Sequence, residues 1–432
     1  MASTRLLCSF TAKVAGLTQT LARTGWCRVG CRRHVCSSPS RQQSCMSAWV
    51  VDQYGSNGVL RYTEEATLPT VNSPSEVMIE VHAASVNPLD IAMRAGYGAK
   101  LLKLRRDPAS VMNSDSEFPL ILGRDMSGVV VDCGSEVTQF VPGDEVWAAV
   151  PPWKQGSLAQ YVTLTEYEVS HKPESVSHTE AASIPYVAST ALSALVCAGG
   201  LCRENSSNKR VLIIGGSGGV GTFSIQLLKA WGAHVTVTCS HNAEGLVRGL
   251  GADEVVDYTG GDFAEQLETM EKFDVILDNI GGDTEEWAMG LLKPWSGAKY
   301  TTLVTPLLLN TDSMGLLDGA INAGVTLCTK ALQEVISNGV FYRWGFYFPD
   351  GPALDQVAKL VDAGKILPVV EAQFPFAQVP QAFQKLEHGH ARGKTVVQVV
   401  EKEDRLEEES VQGICTEAVE SEQGFQGTSK QH

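Results

Sequence analysis

The stretch "KRVLIIGGSGGVGTFSIQLLKAWGAHVTVTCSHN", Lys209–Asn242, decides the fold of this chain. It reads as a short apolar strand, a glycine-rich loop, a helix and a second strand. Gly216, Gly218 and Gly221 fit the pattern G-x-G-x-x-G, in which the glycines permit a tight turn, close approach of a pyrophosphate, and close packing of helix on strand. Because the pattern follows a strand and opens a helix, it predicts a dinucleotide-binding βαβ unit rather than a glycine turn with a purely structural role.

The second strand of this unit ends in Cys239, Ser240 and His241, without the usual carboxylate. A carboxylate there accepts a hydrogen bond from a ribose 2′-hydroxyl and repels a 2′-phosphate. Ser240 removes that repulsion and supplies a donor, and Tyr258 at the end of the next strand would supply another. Arg392 is our candidate for the cation. The pattern predicts NADPH as the cofactor, with a pocket that accepts both NADPH and NADH as the alternative.

Strand and helix patterns alternate after this unit, which predicts a doubly wound parallel sheet and an α/β fold. The segments are "DEVVDY" with "FAEQLETM", "FDVILDNIGG" with "TEEWAMGLLK", and "GAKYTTLV", and we expect "VTLCTKAL" (325–332) to add a last strand. Before this region, from Ala48, short β-like runs between glycine and proline turns predict a compact barrel-like β domain. A segment without clear period at 101–117 is expected to be a surface loop of that domain.

The chain is expected to return to its first domain near the end. A helix and two short strands follow the aromatic stretch "GVFYRWGFYFPDG" (339–351) and resemble a continuation of the β domain. The sequence therefore predicts a catalytic domain made of 46–187 and 349–400, with the cofactor domain inserted at 188–348.

Both ends of the chain differ in composition from the body. No acidic residue precedes Asp52, whereas arginine, lysine, serine and threonine are frequent there. Residues 1–45 therefore predict a mitochondrial transit peptide, with a disordered basic tail as the alternative. Residues 401–432 carry nine acidic and three basic side chains and predict an acidic disordered tail.

The net charge and the hydropathy of the chain exclude some classes of partner. With a net charge of −15, the protein is not expected to bind nucleic acid. We find no apolar run of about 20 residues, the length needed to span a bilayer, and expect no transmembrane segment. The body cysteines, Cys133, Cys197, Cys202, Cys239 and Cys328, form no C-x-x-C pair, and we expect reduced and mostly buried thiols.

Motifs along the body resemble those of the medium-chain dehydrogenase/reductase superfamily, in its zinc-free quinone oxidoreductase branch. They are "HAASVNPLDIAMRAGYG", "PLILGRDMSGVVVDCG", "PGDEVWA", "GSLAQYV", "AASIPYVASTAL", "GGSGGVG", "DYTGGDF" and "LDNIGG". The resemblance implies a GroES-like β-barrel catalytic domain with an inserted Rossmann domain, and NADPH-dependent reduction of quinones or other activated carbonyls and enones. It also implies a mitochondrial matrix location, a link to ubiquinone metabolism and a reticulon-family partner.

The resemblance further implies which residues contact the cofactor. They are Ser217, Gly218, Gly219, Val220 and Gly221 at the pyrophosphate, Ser240 and Tyr258 at the adenosine phosphate, Asn279 beside the nicotinamide ribose, Asn87 at the nicotinamide end, and His390, Ala391 and Arg392 closing over the cofactor. Phe346, in the aromatic stretch, would contact the cofactor or a quinone, with core packing as the alternative. One position departs from the pattern, because Ala243 stands where many NADPH-using relatives have lysine.

A metal is not expected. Zinc-dependent relatives use an early cysteine and the His-Glu of a G-H-E motif, where this chain has Asn87 and Arg124-Asp125. Arginine does not ligate zinc, and no four-cysteine cluster is present. The catalytic residues stay open: Tyr97 is a candidate substrate wall or proton donor, with packing at a turn as its alternative, and Asp90 is expected to orient its loop through backbone N–H groups.

Two functions remain open from the residues alone. The first is an NADPH-dependent, zinc-independent reductase of quinone or enone substrates. The second is a nucleotide-sensing protein that binds NADPH with little turnover, because no single essential acid or base is visible in the sequence. Oligomeric state is not predicted.

Overall fold

The computed structural model describes residues 45–107 and 117–400. The predicted transit peptide, apart from its last residue, and the predicted acidic tail lie outside the described residues. The described residues form these strands: β1 Cys45–Val51, β2 Leu60–Thr67, β3 Glu76–Val86, β4 Leu120–Ile121, β5 Asp125–Cys133, β6 Glu145–Ala149, β7 Tyr161–Thr165, β8 Val169–His171, β9 Arg210–Ile214, β10 His234–Cys239, β11 Glu254–Asp257, β12 Val275–Asp278, β13 Lys299–Thr302, β14 Phe341–Trp344, β15 Val370–Pro375 and β16 Lys394–Gln398.

The helices alternate with these strands mainly in the second half of the chain. Within the described residues they are α1 Pro88–Arg94, α2 Ala99–Arg106, α3 His178–Ala181, α4 Pro185–Leu192, α5 Gly219–Ala230, α6 Glu244–Gly249, α7 Phe263–Thr269, α8 Thr284–Met289, α9 Leu307–Met314, α10 Leu316–Asn338, α11 Gly351–Asp362 and α12 Val379–Glu387.

In the described part of the chain, β9 to β14 form a parallel sheet of six strands in the order β11-β10-β9-β12-β13-β14. Alternate residues of β9 enter different apolar cores: Val211 and Ile213 pack with α5, whereas Leu212 and Ile214 pack with α7 and α8. Both faces of the sheet are therefore covered by helices, as the continuous apolar strands predicted. The predicted α/β fold with a doubly wound parallel sheet is confirmed.

The remaining strands build the β domain. One sheet of the described chain has the order β15-β16-β3-β5-β6-β8, with β7 paired to β3, and a second has the order β2-β1-β4. Strand β16, near the end of the described chain, pairs antiparallel with β3, near its beginning. We propose the domain boundaries near 188 and 348 that the sequence predicts, because every strand of the parallel sheet falls between Arg210 and Trp344.

The predicted strand at 325–332 is wrong. These residues lie inside α10, and the sheet ends instead with β14, which the aromatic stretch supplies. Gly319 and Ala323 are buried, and Leu327 and Ala331 pack against the core beneath the sheet. This four-residue spacing is that of one helix face, and it outweighs the strand preference of the valine and threonine residues between them.

The predicted surface loop at 101–117 is wrong in its first part. Helix α2 covers Ala99–Arg106, and 108–116 lie outside the described residues. The helix starts where the Asp312 carboxylate accepts hydrogen bonds from the backbone N–H groups of Gly98, at 2.5 Å, and Lys100, at 3.1 Å. Because the capping acid comes from α9, about 200 positions later, local sequence could not show the helix.

The expectation of mostly buried thiols is also wrong. Cys133, Cys197, Cys202, Cys239 and Cys328 form no disulfide among the described residues, and of these five Cys239 alone is buried. Burial and the nearby Asp257 raise the pKa of the Cys239 thiol to about 11, so this thiol is protonated at neutral pH.

One stretch of the described chain is long and apolar enough to cross a membrane by length and composition, although the sequence predicted none. Among the described residues, the most apolar 18-residue window of His178–Ala198 has a mean hydropathy of 1.5, and 67% of this window is buried inside the protein. It forms α3, α4 and a π-helical turn that pack in the core between the two sheets. Its apolar composition is therefore accounted for by burial in the protein.

The close packing at the glycine loop predicts a stability effect. A Cβ added at Gly221 would lie 2.5 Å from the carbonyl oxygen of Gly215, a backbone atom that cannot move aside. We expect Gly221→Ala to lower the free energy of unfolding by about 1–3 kcal/mol, measured by chemical denaturation. Gly218→Ala is the matched control, because a Cβ there meets no atom within 4 Å. Equal stability of the two variants would contradict this packing.

Candidate functional site

The site lies where β9, β10, β11 and β12 end at one edge of the parallel sheet. The chain proceeds from β9 through β10 to β11, and then returns to the other side of β9 to form β12. This reversal leaves a crevice between the loops that follow β9 and β12, which is where open α/β sheets bind their ligands. The glycine loop follows β9, and Asn279 follows β12.

The glycine loop has one open side and one packed side. Gly218 precedes α5, no side chain caps that helix, and a Cβ at Gly218 would meet no atom within 4 Å. On the packed side, a Cβ at Gly219 would lie 2.7 Å from Cδ of Lys394 and 2.9 Å from Cγ1 of Val187. Since the first N–H groups of a helix have no partner within it, the open side fits a phosphate group.

The returning segment before β16 lies directly against the glycine loop. The N–H of Gly393 donates to the carbonyl of Ser217 at 2.9 Å, and Gly218 and Gly393 form an isolated parallel bridge. Gly393 has φ +104°, and a Cβ there would lie 2.3 Å from the carbonyl oxygen of Val369, so only glycine permits this approach. His390 is exposed and has φ +53°, which continues the left-handed turn over the loop.

The structure brings Ala391 and Arg392 to the edge of the same loop. The N–H of Arg392 donates to Oε2 of Glu371 at 3.0 Å, and its side chain is exposed. The backbone of Arg392 is therefore held close to Ser217, at the loop predicted to bind the pyrophosphate. Its contact with a 2′-phosphate stays a prediction.

The ends of β10 and β11 bring together Ser240 and Tyr258. Cys239 and Asp257 are register partners in the parallel pair, and the N–H of Tyr258 donates to the carbonyl of Cys239 at 3.1 Å. The residues that follow the two strands are thus neighbours, and Tyr258 is exposed. Ser240 stands where a carboxylate is usual. A different carboxylate, that of Asp257, lies at the same edge of the sheet.

The Asp257 carboxylate is held by its own turn. Its Oδ1 accepts from the Thr259 hydroxyl at 2.6 Å and from the Thr259 N–H at 2.9 Å. These hydrogen bonds lower the pKa of Asp257, with a smaller contribution from His241. The group is therefore ionised at neutral pH, and it adds a negative charge to the end of the site at which a 2′-phosphate is expected.

Asn279 supplies an unsatisfied buried acceptor. Its N–H donates to the carbonyl of Ile214 at 3.2 Å, and its Nδ2 donates to the carbonyl of Gly215 at 3.4 Å. Within the described residues its Oδ1 is buried and has no hydrogen-bond partner. A buried oxygen without a donor is costly unless a ligand provides one, and a ribose hydroxyl is a suitable donor.

The loop that carries Asn279 is fixed by a buried acid, Asp278. Its carboxylate accepts hydrogen bonds from the N–H groups of Ile280 and Gly281, at 2.9–3.1 Å, and from the hydroxyl of Tyr300 at 2.5 Å. Burial and Asp278 raise the pKa of Tyr300, so its hydroxyl remains a donor. The position of the Asn279 oxygen is therefore determined by the sheet rather than by a mobile loop.

A buried polar cluster lies on the other side of the glycine loop. Asp125 is fully buried, and its Oδ2 accepts from the Ser85 hydroxyl at 2.7 Å, the Asn87 amide at 2.8 Å and the Lys394 ammonium at 2.9 Å. Its Oδ1 accepts from the N–H of Tyr186 at 2.6 Å. The Lys394 ammonium also donates to Oδ1 of Asn87 at 2.5 Å. The Asn87 side chain is thus occupied on both ends, and its contact with a cofactor stays a prediction.

The positions of the zinc ligands in related enzymes are occupied by this cluster and by Arg124. The Arg124 guanidinium is buried and donates to the carbonyls of Ile121, Pro151 and Lys154 at 2.8–2.9 Å. Asp90, its ion-pair partner at 3.4 Å, accepts from the N–H groups of Asn87 and Gly123. The expected role of Asp90 in orienting its loop is therefore confirmed by the geometry.

The donor set does not fit a zinc ion. In the described ranges, 45–107 and 117–400, no three His, Cys, Asp or Glu side chains come together as a metal site. The cations in this region are the Lys394 ammonium, paired with Asp125, and the Arg124 guanidinium, paired with Asp90. Activity without a metal stays a prediction.

Three tyrosines border the same region. Tyr186 stacks on Tyr347 with ring centroids 4.8 Å apart, and the Tyr347 hydroxyl donates to the carbonyl of Ala149 at 2.8 Å. Burial raises the pKa of Tyr97, with a further contribution from Asp312, and burial raises that of Tyr186, with contributions from Asp90 and Asp125. Both phenols are therefore protonated at neutral pH and are weaker acids than a free tyrosine.

The aromatic stretch divides between core and surface. Tyr342 is buried in β14, whereas Phe346 is exposed and packs edge-on against Trp344 at 6.2 Å. Phe346 and Phe348 are thus the exposed aromatic residues of the stretch, and contact of Phe346 with a ligand stays a prediction.

Sequence reasoning missed Lys394, Asp278 and Tyr186. Lys394 stands two residues after Arg392, but its partners Asn87 and Asp125 are about 300 and 270 residues away. A lysine inside the strand pattern "KTVVQVV" is the one signal that could have suggested a buried role.

Two family models match this chain. Residues 73–174 match the alcohol dehydrogenase GroES-like domain, and residues 250–397 match zinc-binding dehydrogenase. The chain is similar to the mitochondrial NAD(P)H oxidoreductase RTN4IP1 of Danio rerio, with 60% identity over 87% of this chain and 97% of that protein. It is also similar to the mitochondrial reticulon-4-interacting protein 1 of Caenorhabditis elegans, with 36% identity over 83% of this chain and 96% of that protein.

Two further similarities concern the type of reaction. The chloroplastic NADPH-dependent alkenal/one oxidoreductase of Arabidopsis thaliana is 33% identical over 82% of this chain and 79% of that protein. The structure of the quinone oxidoreductase from Coxiella burnetii superposes with a TM-score of 0.65 and 29% identity, covering 82% of this chain and all of that one.

The open side of the glycine loop predicts a binding effect that is separate from stability. Gly218 has φ −73°, so alanine fits its backbone, but the added methyl group would occupy the side on which a pyrophosphate is expected. We expect Gly218→Ala to fold normally and to weaken NADPH binding about tenfold or more, because hydrogen bonds to a charged phosphate are lost. Isothermal titration of NADPH measures this, with Gly245→Ala as a control at an equally open glycine. Unchanged affinity would show that the ligand binds elsewhere.

Proposed function

This chain belongs to the medium-chain dehydrogenase/reductase superfamily, in the family of the mitochondrial NAD(P)H oxidoreductase RTN4IP1, and we propose that it transfers hydride from NADPH to a quinone or to an activated carbonyl or enone. The chain is a mitochondrial NAD(P)H oxidoreductase; the choice of NADPH and of this substrate class is the proposal. The observation that supports a bound dinucleotide is the buried, unsatisfied Asn279 oxygen after β12, together with the uncapped start of α5 after β9.

The residues of this chain fit such a cofactor. The start of α5 would bind the pyrophosphate on the open side of Gly218, and Oδ1 of Asn279 would accept a hydrogen bond from the nicotinamide ribose. The segment 389–393 would lie over the bound molecule, because it is already held against Ser217. When bound, the cofactor supplies the hydride.

The protein's part in the chemistry is to align the acceptor, exclude water and provide a proton. Tyr97 and Tyr186 border the cleft as protonated phenols, and either would deliver a proton to the oxygen of a reduced quinone or to an enolate. The Lys394 ammonium is held by Asn87 and Asp125, and its stem lies against the packed side of the glycine loop. We propose this ammonium as a positioning group for the loop.

The substrate class is supported by relatives rather than by a bound ligand. The plant relative is named for alkenal and alkenone reduction, and the superposed bacterial protein is named for quinone reduction. Both reactions add hydride to a carbon atom or oxygen atom conjugated with a carbonyl group. We propose that the physiological acceptor is linked to ubiquinone metabolism in the mitochondrial matrix, and that a reticulon-family protein is a partner, as the name of the nematode relative suggests.

The proposal predicts metal-independent turnover. Chelator-treated protein should oxidise NADPH, followed by its absorbance, with a panel of quinones and enones, because the positions of the zinc ligands hold Asn87 and Arg124. Gly218→Ala should lose this activity at low NADPH. Tight NADPH binding without turnover of any acceptor would favour the nucleotide-sensing alternative. Activity that depends on stoichiometric zinc would contradict the zinc-free assignment.

The end of β10 predicts the choice of cofactor. NADPH should bind better than NADH, and Ser240→Asp should reverse this, because a carboxylate there accepts from a 2′-hydroxyl and repels a 2′-phosphate. Loss of one charge-assisted hydrogen bond should weaken NADPH binding about ten- to a hundredfold.

Two further variants separate the charges around this position. Arg392→Ala should weaken NADPH more than NADH if the guanidinium reaches the phosphate, and Asp257→Asn should strengthen NADPH because it removes a nearby negative charge. The measurement is the pair of dissociation constants for each variant. Equal affinity of the wild type for NADPH and NADH would contradict the prediction that Ser240 favours a 2′-phosphate.

A further inference from the structure

Tyr97 stands in the turn between α1 and α2, with a left-handed glycine on each side. Gly96 has φ +99° and Gly98 has φ +76°, a conformation that residues with a side chain rarely adopt. On the α1 side, the N–H of Tyr97 donates to the carbonyl of Ala92 at 2.9 Å, and a Cβ added at Gly96 would lie 3.3 Å from the ring of Tyr54. The β domain therefore holds one side of the turn.

The other side of the turn is held by α9, which lies between β13 and β14 of the parallel sheet. The N–H of Gly98 donates to Oδ2 of Asp312 at 2.5 Å, and the N–H of Lys100 donates to Oδ1 at 3.1 Å. A Cβ added at Gly98 would lie 3.3 Å from Cδ1 of Leu308, so the two helices also pack closely here. One carboxylate of the parallel-sheet domain thus fixes the turn that carries Tyr97.

The start of α2 has no cap of its own. Its N-cap residue is Gly98, which has no side chain, and its first turn contains no acidic residue. The first N–H groups of a helix need an acceptor from outside it. Asp312 is the acceptor for two of the N–H groups at this helix start, so the beginning of α2 depends on the other domain.

The same helix α9 is connected to the crevice of the parallel sheet. The N–H of Leu303, in the loop that leads from β13 to α9, donates to the carbonyl of Asp278 at 3.0 Å. A Cβ added at Gly281 would lie 2.6 Å from Cβ of Val304. The loop before α9 is therefore packed against the loop that carries Asn279, and continuous contacts run from the crevice through α9 to the start of α2.

Asp312 also acts on the phenol of Tyr97 through its charge. Burial raises the pKa of Tyr97, and the Asp312 carboxylate raises it further. Burial raises the pKa of Tyr186 as well, and Tyr97 is among the groups that contribute to this shift. The two phenols are thus close enough to influence each other, and the Asp312 charge keeps the nearer one protonated.

We propose that Asp312 is a positioning residue for the reduction: its carboxylate fixes, from the parallel-sheet domain, the turn that places the Tyr97 phenol in the cleft. The inference rests on the proposed function for the class of acceptor. The O–H bond of Tyr97 breaks, and its proton passes to the oxyanion of an acceptor that has received a hydride, with both electrons, from NADPH. Water then returns a proton to the phenolate. Asp312 takes no part in these transfers and acts through Tyr97.

The first test measures whether the carboxylate holds the turn. Hydrogen exchange of the full-length protein, followed by mass spectrometry on peptides covering 96–106, should be about tenfold or more faster at the start of α2 in Asp312→Ala, because two N–H groups lose a charged acceptor. Asp312→Asn, which keeps one acceptor oxygen, should lie between this variant and the wild type. Asp318→Asn is the matched control, since Asp318 is an exposed acid in the first turn of the next helix. Unchanged exchange in Asp312→Ala would overturn the proposal.

The second test separates the chemical step from cofactor binding. With the quinone or enone that the wild type reduces fastest, Asp312→Ala should lower kcat about ten- to a hundredfold, because a misplaced proton donor slows the reaction. The dissociation constant for NADPH, measured by calorimetry, should stay unchanged, and Asp318→Asn should behave as the wild type in both measurements. A loss of NADPH affinity as large as the loss of kcat would place the effect at the cofactor and refute the positioning role.

A double-mutant cycle tests whether Asp312 acts through Tyr97. Tyr97→Phe should itself lower kcat, and Asp312→Ala should have little further effect in the Tyr97→Phe protein, because residues that act as a unit are not additive. Additive effects, or a wild-type kcat in Tyr97→Phe, would overturn the inference. A wild type that reduces no quinone or enone would refute the proposed function, whereas a wild type that does so and is unaffected by Asp312→Ala would refute this inference alone.

Discussion

The buried ion pair between Lys394 and Asp125 joins two strands of the β domain beside the glycine loop of the parallel sheet. The lysine belongs to β16, near the end of the described chain, whereas the aspartate belongs to β5, and their atoms are 2.9 Å apart. The stem of the lysine passes the packed side of the glycine loop, so that loop, strand and buried acid are held by one side chain. Removal of either partner would leave an uncompensated buried charge, at a cost of about 3–5 kcal/mol. The site therefore depends on a contact that spans most of the chain.

The same pair changes the chemistry available to the fold. The ammonium of Lys394 already has two oxygen partners, on Asn87 and Asp125. Such a group stabilises the surrounding loops but does not polarise a carbonyl as a Lewis acid does. Reduction by this protein is consequently expected to rely on alignment of the hydride donor and on protonation by a phenol. Activated acceptors such as quinones and enones suit this arrangement, because they need less polarisation than a simple ketone.

The region between β13 and β14 contributes two helices that contact both domains. Helices α9 and α10 form a hairpin that reaches the β domain through Asp312 and packs on the sheet through α10. One carboxylate at the start of α2 thereby links the hairpin to the segment that carries Tyr97. Asp312 also contributes to the raised pKa of Tyr97, so the hairpin affects the phenol of that tyrosine.

The sequence by itself determined the βαβ unit, the parallel sheet and the positions of the glycine loop, because these depend on short-range patterns: apolar strands, the spacing of Gly216, Gly218 and Gly221, and helix starts. It also placed Ser240 and Tyr258 at strand ends, which parallel pairing makes neighbours. Tertiary structure alone decided what depends on distant partners. Contacts between residues far apart in the chain decided the cap of α2 by Asp312, the burial of Lys394 and the position of the Asp257 charge beside Ser240. Packing that overrides local preference decided the helix at 316–338 in place of a strand. A single sequence carries no direct signal for such contacts, since their free energy comes from desolvation and packing that exist only in the folded chain.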